Sequence, residues 1–384
     1  MKETYNIKFN KKELAGSFGD IGTDLPLIVG MISAVNLHSG SVFIMFGIMQ
    51  IFSGLIYGLP MPLQPLKAMA VLVISEKISP NILFGGGLSI ALIMILLTVT
   101  GSLHWLGKLI PLCVVRGIQC GLGLSLASLA LKNYITADGI QGYILALVAL
   151  GIMVIIPKNS LIPAGLLVIG MGIIYSFFFD LQIVEIIDNI GFSLPQPHQP
   201  TISDIATGFV ILALPQLPLS LSNSVIATHQ TVKDLFPNSE VSLKKIGFTY
   251  TIANMIMPFF SGIPVCHGCG GLAGHYSLGG RTGGSVIIYG LMYLIIGLFF
   301  SAVFTQVVAV FPLPILGIVL LFEALTLLLF MADQSASQQN LMIAFLVAVI
   351  AFSVPQGYLV GLVIGTLIYY GKKSLNEEAV IKKY

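Results

Sequence analysis

"GLPMPLQPLKAMAVLVI" runs from Gly58 to Ile74, with prolines at 60, 62 and 65. Each proline removes a backbone N–H and pushes the residue before it out of the helical region, so no continuous helix passes through this stretch. Residues 59–64 read as extended, and Pro65 reads as the first residue of a helix, where a missing N–H costs nothing. Six extended residues reach about 20 Å and ten helical residues about 15 Å, so the two together can cross a bilayer. The strand-to-helix junction then falls near the midplane. Non-helical backbone is tolerated there only where protein or a polar cavity covers it.

The whole composition supports a membrane reading. The 384 residues are 56% hydrophobic and only 9% charged, with a mean hydropathy of +0.96. A soluble surface needs far more charge, so the chain is an all-α polytopic membrane protein whose constant partner is the lipid bilayer. The net charge of +2 is dispersed, and no nucleic-acid partner is implied. Residues 1–13 carry four lysines without a short apolar core behind them, so no cleavable leader is expected. Cys113, Cys120, Cys266 and Cys269 all sit in apolar or glycine-rich segments, so no disulfide framework is implied.

Apolar runs between Gly, Pro and charge punctuation predict fourteen crossings. The first seven lie near 14–36, 40–58, 59–77, 81–101, 110–131, 139–156 and 161–179. The second seven lie near 203–228, 246–260, 262–278, 284–309, 312–331, 339–354 and 356–371. With both termini cytoplasmic, fourteen of the eighteen Lys and Arg residues fall inside. Lys77 and Lys132 fall outside, and Lys67 and Arg116 lie within the membrane. This bias fits the positive-inside rule and an inner or plasma membrane. The loop with Asp180, Glu185 and Asp188 falls outside. No appended soluble domain is expected.

"FSGLIYGLPMPLQP" (Phe52–Pro65) resembles "FFSGIPVCHGCGG" (Phe259–Gly271), and each occupies the third crossing of its half. "GDIGTDLPL" (Gly19–Leu27) is matched by "LALPQLPLSLSNS" (Leu212–Ser224) in the first crossing of each half. Seven crossings per half invert the second half. Segments 3 and 10 each become a short extended stretch plus a half-helix, the second starting near Cys266–Gly268. Inverted repeats with broken segments point to a secondary transporter and to its site. The two half-helix N-termini, each with open N–H donors and about half a positive charge, suit an anion.

Candidate substrate-binding residues are Gln64, Leu66 and Lys67 at the first junction and Thr23 on crossing 1. Gln216 and Asn223 on crossing 8, with Cys266, His267, Gly268, Gly270 and Gly271 at the second junction, complete the set. Intramembrane charge is costly, so Asp20, Asp24, Arg116 and Glu323 are charge or coupling candidates, with structural pairing as the alternative. Lys67 is placed to face the anion or to pair with a carboxylate such as Asp20. Cys266-x-x-Cys269 with His267 and His275 evokes a metal or redox centre, but no second ligand pair is evident, and no metal or other cofactor is expected. A nucleobase carrier would want paired carboxylates on crossings 8 and 10, and residues 212–228 and 262–278 contain no Asp or Glu. A passive anion channel is a further alternative, which concentrative uptake would exclude.

Five blocks carry a family resemblance. They are "ELAGSFGDIGTDLPL" (Glu13–Leu27), "PMPLQPLKAMA" (Pro60–Ala70), "PLCVVRGIQCGLGLSLA" (Pro111–Ala127), "LPQLPLSLSNSVIAT" (Leu214–Thr228) and "PVCHGCGGLAGHYSLGGRTGG" (Pro264–Gly284). Together they resemble the molybdate transporter family related to SulP sulfate permeases. The resemblance implies the seven-plus-seven inverted-repeat fold shared with uracil permease. It also implies a core domain, residues 1–109 and 200–310, that moves against a gate domain, residues 110–199 and 311–384. The C-terminal regulatory domain of SulP permeases is not expected. Arg281 is the cation nearest the second junction.

The expected substrate is molybdate, or sulfate as the near alternative, carried by alternating access and not by enzymatic chemistry. Moving a dianion against an inside-negative potential costs about 4.6 kcal/mol per 100 mV. Proton coupling through Asp20, Asp24, His267 or Glu323 is therefore a candidate. The sequence leaves the oligomeric state open, with a homodimer as one option.

Overall fold

The computed structural model describes residues 6–103, 105, 109–156, 164–179 and 189–381. Lys158 and the acidic loop with Asp180, Glu185 and Asp188 lie outside them. The first half runs α1 (Lys11–Gly16), α2 (Ile21–Val35), α3 (Ser39–Tyr57), β1 (Leu63–Pro65), α4 (Lys67–Glu76) and α5 (Pro80–Val99). Then come α6 (Leu112–Tyr134), α7 (Gly139–Ile155), α8 (Ala164–Phe179) and the long α9 (Ile202–Leu235). The chain ends with α10 (Leu243–Ile256), β2 (Val265–His267), α11 (Cys269–Ser277), α12 (Gly284–Phe299), α13 (Ser301–Val310), α14 (Leu313–Gln334), α15 (Gln338–Ser353) and α16 (Gly357–Ile381).

Both broken crossings appear, with shifted junctions. β1 and β2 pair antiparallel, with Leu63 opposite His267, Gln64 opposite Cys266 and Pro65 opposite Val265. Pro65 is therefore the last strand residue and not the first helical one. Leu66 caps α4, its own N–H donating to Pro264 O at 3.0 Å. Likewise Cys266 belongs to the strand, and α11 begins at Cys269 behind Gly268. Cross-strand pairing wins in each case because it satisfies backbone groups that hydrocarbon cannot. Crossing 11 also differs from the sequence reading: α12 ends at Phe299, and α13 starts anew at Ser301.

The outer edges of the two strands are closed by side-chain amides. Gln50 on α3 accepts from Leu63 N at 2.9 Å and donates to Leu63 O at 2.6 Å. Asn254 on α10 accepts from Val265 N at 2.9 Å and donates to Val265 O at 2.6 Å. Leu63 and Val265 are each the first residue of their strand, so one device serves both. All four of these residues are buried.

Small residues let the helices approach closely. A Cβ on Gly47 of α3 would lie 2.6 Å from Gly290 O of α12, and one on Gly290 would lie 2.6 Å from Gly47 O. The chain just before α2 crosses α11 in the same manner, where a Cβ on Gly19 or Gly274 would run into the other residue's backbone. In α9, Pro215 and Pro218 are absorbed by flanking wide turns at Phe209–Ala213 and Ser220–Ala227, so the helix continues through them.

Replacing Gln50 or Asn254 with leucine strips two backbone hydrogen bonds from a buried strand. Each replacement should cost about 2–4 kcal/mol, read as a clear drop in the melting temperature of detergent-purified protein. A variant that melts like the wild type would show that the amide clamps do not hold the strand pair.

Candidate functional site

The two half-helices leave the strand pair in opposite directions, with both N-termini toward its centre. Around that centre the polar side chains are already engaged with one another. Gln64 Nε2 donates to both oxygens of Asp20, at 2.7 and 2.8 Å. A Cβ on Gly268 would collide with Gln64 Oε1, and one on Gly271 would collide with Asp20 Oδ2. Gly268 and Gly271 are thus glycines because the Gln64–Asp20 pair lies against their backbone. Gln64 is a strut of the site, with its amide nitrogen committed to Asp20.

The two helix ends differ. Gln216 Oε1 accepts from Ala68 N at 2.9 Å and from Met69 N at 3.4 Å, so a side chain occupies the first turn of α4. Gln216 Nε2 donates to Ser220 Oγ at 3.1 Å, which in turn bonds Tyr250 OH at 2.8 Å. Gln216 is a helix cap here, with its oxygen on α4 and its nitrogen on Ser220. At α11, Gly268 supplies no capping side chain. Among the described residues, the amides of Gly270 and Gly271 have no backbone acceptor, and that of Gly270 lies against the Cys269 sulfur. Gly270 is exposed, and a Cβ there would meet nothing within 4 Å. Open space therefore borders the first turn of α11 at Gly270, and that turn lacks the side-chain cap that α4 has.

Beside that opening, Cys269 Sγ donates to Asn223 Oδ1 at 3.0 Å. Thr23, half-buried on α2, lies beside Glu323. Lys67, the first residue of α4, has its Nζ 3.9 Å from Glu323 Oε2 of α14, so its partner is Glu323 and not Asp20. Leu66 is buried and contributes backbone only. Asp24 is fully buried one turn after Asp20; its Oδ2 accepts from Tyr289 OH at 3.0 Å, and its Oδ1 has no partner among the described residues.

Three expected site residues lie elsewhere. His267 turns away from the opening: its Nε2 meets Thr249 Oγ1 at 2.8 Å, and its ring packs edge-on to Tyr57. Strand alternation sends Cys266 to the face opposite His267, toward Ser224, Lys67 and Cys269, so the two cysteines and His267 do not converge on a point. No group of three metal-ligating side chains occurs among the described residues. Arg116 is bound through Nε and Nη2 to Asp333, with Gln119 and the ring of Phe330 beside it. Arg281 stacks on Tyr276 at 3.6 Å and donates to the carbonyls of Tyr276 and Gly280.

Sequence reasoning missed Gln50, Asn254, Tyr289 and Glu13. Buried Glu13 accepts from the N–H groups of Arg281, Thr282 and Ser285 at 3.0–3.1 Å, tying α1 to the turn before α12. Its signal was available: a carboxylate opening a conspicuously apolar block. The amides and the tyrosine sit in unremarkable helical sequence and carried no signal.

This arrangement belongs to a helical membrane-transporter fold. The transmembrane domain of the cyanobacterial bicarbonate transporter BicA superposes with a TM-score of 0.70 at 19% identity, over 93% of this chain and 98% of that one. The murine anion transporter Slc26a9, in its inward-facing state, gives 0.67 at 16% identity, over 96% of this chain and 70% of that one. By sequence, residues 12–126 and 208–327 match the family described as "Molybdate transporter of MFS superfamily". "Molybdate transporter 2" of Arabidopsis thaliana is 34% identical, over 88% of this chain and 82% of that protein. "Molybdate transporter 1" of Chlamydomonas reinhardtii is 24% identical, over 91% of this chain and 90% of that protein. The chain belongs to this molybdate transporter family. Its named relatives are transporters, not enzymes, and its fold is the one seen in BicA and Slc26a9.

Asp20→Ala leaves the Gln64 amide buried without an acceptor, a loss of about 1–3 kcal/mol. The variant should melt earlier, and a second change, Gln64→Leu, should recover part of the loss. Absence of any recovery in the double variant would show that the two residues are not coupled.

Proposed function

We propose that the protein is a secondary active transporter of a tetrahedral oxyanion, molybdate first, working by alternating access. The observation that carries this is the uncapped first turn of α11, where Gly270 borders open space and no side chain from another helix caps the amides, with Lys67 near Cys269, in a chain of the molybdate transporter family. Backbone donors at a helix N-terminus favour negative charge without a buried counter-ion. Tetrahedral oxygens can accept from several such donors at once. Sulfate and tungstate offer the same acceptor geometry and are the competitors to test.

The mirrored clamps on Leu63 and Val265 support a seven-plus-seven inverted repeat. In this reading residues 1–109 and 200–310 form a core that carries the anion. Residues 110–199 and 311–384 form the gate against which it moves, with both termini cytoplasmic. Thr23, Lys67, Asn223, Cys269, Gly270 and Gly271 line the anion's place. Gln64, Gln216 and Asp20 hold that place in shape. Dianion uptake against an inside-negative potential requires coupled cations, for which protons are the candidate.

The test is uptake of radiolabelled molybdate into proteoliposomes, competed with sulfate and tungstate. Saturable, concentrative uptake driven by an inward pH gradient is expected, with molybdate the best competitor. Uptake that only equilibrates would indicate a channel. No uptake of any oxyanion would overturn the reading. Gly270→Val should leave the melting temperature nearly unchanged, because its side chain enters open space. It should weaken molybdate affinity about tenfold or more, the worth of one hydrogen bond to a charged group. Wild-type affinity in that variant would move the anion site away from α11.

A further inference from the structure

Two ion pairs occur among the described residues, and they are built differently. Arg116 and Asp333 lie within the proposed gate, share two N–H···O contacts and are braced by Gln119 and Phe330. Lys67 and Glu323 stand 3.9 Å apart, too far for a hydrogen bond, and their side chains keep 19% and 12% of their exposure. They also bridge different parts: Lys67 opens α4 of the proposed core, and Glu323 lies within α14 of the proposed gate. A fixed structural pair has the first construction. A pair that must open and re-form suits the second.

The surroundings show what would open it. α2 brings Asp20 and Asp24 toward this cluster, and α4 brings Lys67. α6 carries Arg116, already committed to Asp333, along with Cys113, Cys120, Lys132 and Tyr134. α7 and α8 add only Tyr143 and Tyr175. The cluster therefore holds three carboxylates, one ammonium paired with Glu323, and the thiol of Cys266 on β2. Asp20 has both oxygens on Gln64, while Asp24 has no solvent exposure and accepts from Tyr289. His267 is fully buried against Thr249. Of the candidate coupling groups, Glu323 alone is solvent-accessible and depends on a cation that an anion at α11 would attract. The lysine side chain is a flexible point charge able to switch partners.

We propose that the incoming oxyanion takes Lys67 from Glu323, and that Glu323 then binds one proton from the same aqueous side and carries it across with the anion. One carboxylate oxygen gains the proton, and no electrons move. On the far side the anion leaves, Lys67 returns to Glu323, and the proton is released. Binding and protonation are thereby linked: each favours the other by the same factor. The inference rests on the oxyanion reading above.

The test measures molybdate affinity of the purified protein against pH by thermal shift, alongside transport in proteoliposomes. Wild-type affinity should rise with falling pH, by up to about tenfold per unit for one linked proton. Glu323→Gln should bind molybdate at least as tightly, with a flat pH profile. It should keep molybdate–molybdate exchange but lose accumulation driven by a pH gradient. Lys67→Gln should bind more weakly and also lose the pH dependence, because Glu323 then has no cation to surrender. This second variant decides the matter if Glu323→Gln does not fold. Retained pH dependence in either variant would overturn the exchange of partners, as would loss of exchange transport in a stable Glu323→Gln protein. If the wild type neither binds nor transports any oxyanion, the functional reading has failed instead.

Discussion

Six residues of antiparallel pairing, Leu63–Pro65 against Val265–His267, are the constraint on which the rest depends. In hydrocarbon an unpaired strand would leave several N–H and C=O groups without partners, each costing several kcal/mol. The pairing satisfies the inner edge of each strand, and Gln50 and Asn254 satisfy the first residue on the outer edge. Once the strands are fixed, the starting points and opposed directions of α4 and α11 follow. Close crossings at Gly47–Gly290 and Gly19–Gly274 then bring the flanking helices near enough to seal the junction.

The same economy explains the asymmetry at the two helix ends. Both half-helices begin with N–H groups that need acceptors. On α4 the protein supplies one from Gln216 of another helix, and on α11 no other element supplies one to Gly270 and Gly271. Capping one end and placing Lys67 at that same end replaces a fixed dipole with a mobile charge.

Much of this was legible in the sequence because proline and glycine act locally. Pro60, Pro62 and Pro65 predict broken helix wherever they occur, and Gly268, Gly270 and Gly271 predict close backbone approach. The exact junctions were not legible: whether Pro65 starts a helix or ends a strand depends on Val265, some two hundred residues away. His267 failed for a related reason. Its position beside a helix N-terminus was read correctly, but strand alternation and the hydroxyl of Thr249 decide where the ring points. The charged residues divide the same way. That Arg116 and Glu323 are intramembrane is visible from spacing, whereas their partners Asp333 and Lys67 are set by helix packing alone.

The proposed anion site is lined by carboxylates, at first sight a contradiction. Asp20 and Asp24 lie on the helix next to α11, and Glu323 faces them from α14. At low effective dielectric, like charges a few ångströms apart repel by several kcal/mol. Each carboxylate therefore needs a donor or a cation when the site is empty, and Gln64, Tyr289 and Lys67 fill those three roles. Two of these partners are neutral donors that an anion cannot draw away. The third is a charge, held loosely and within reach of water. In the proposed cycle a dianion entering this site disturbs its one soft contact, which would tie charge compensation to recognition. A site made only of backbone amides would bind the anion as well, but it would have no means of coupling binding to a second ion.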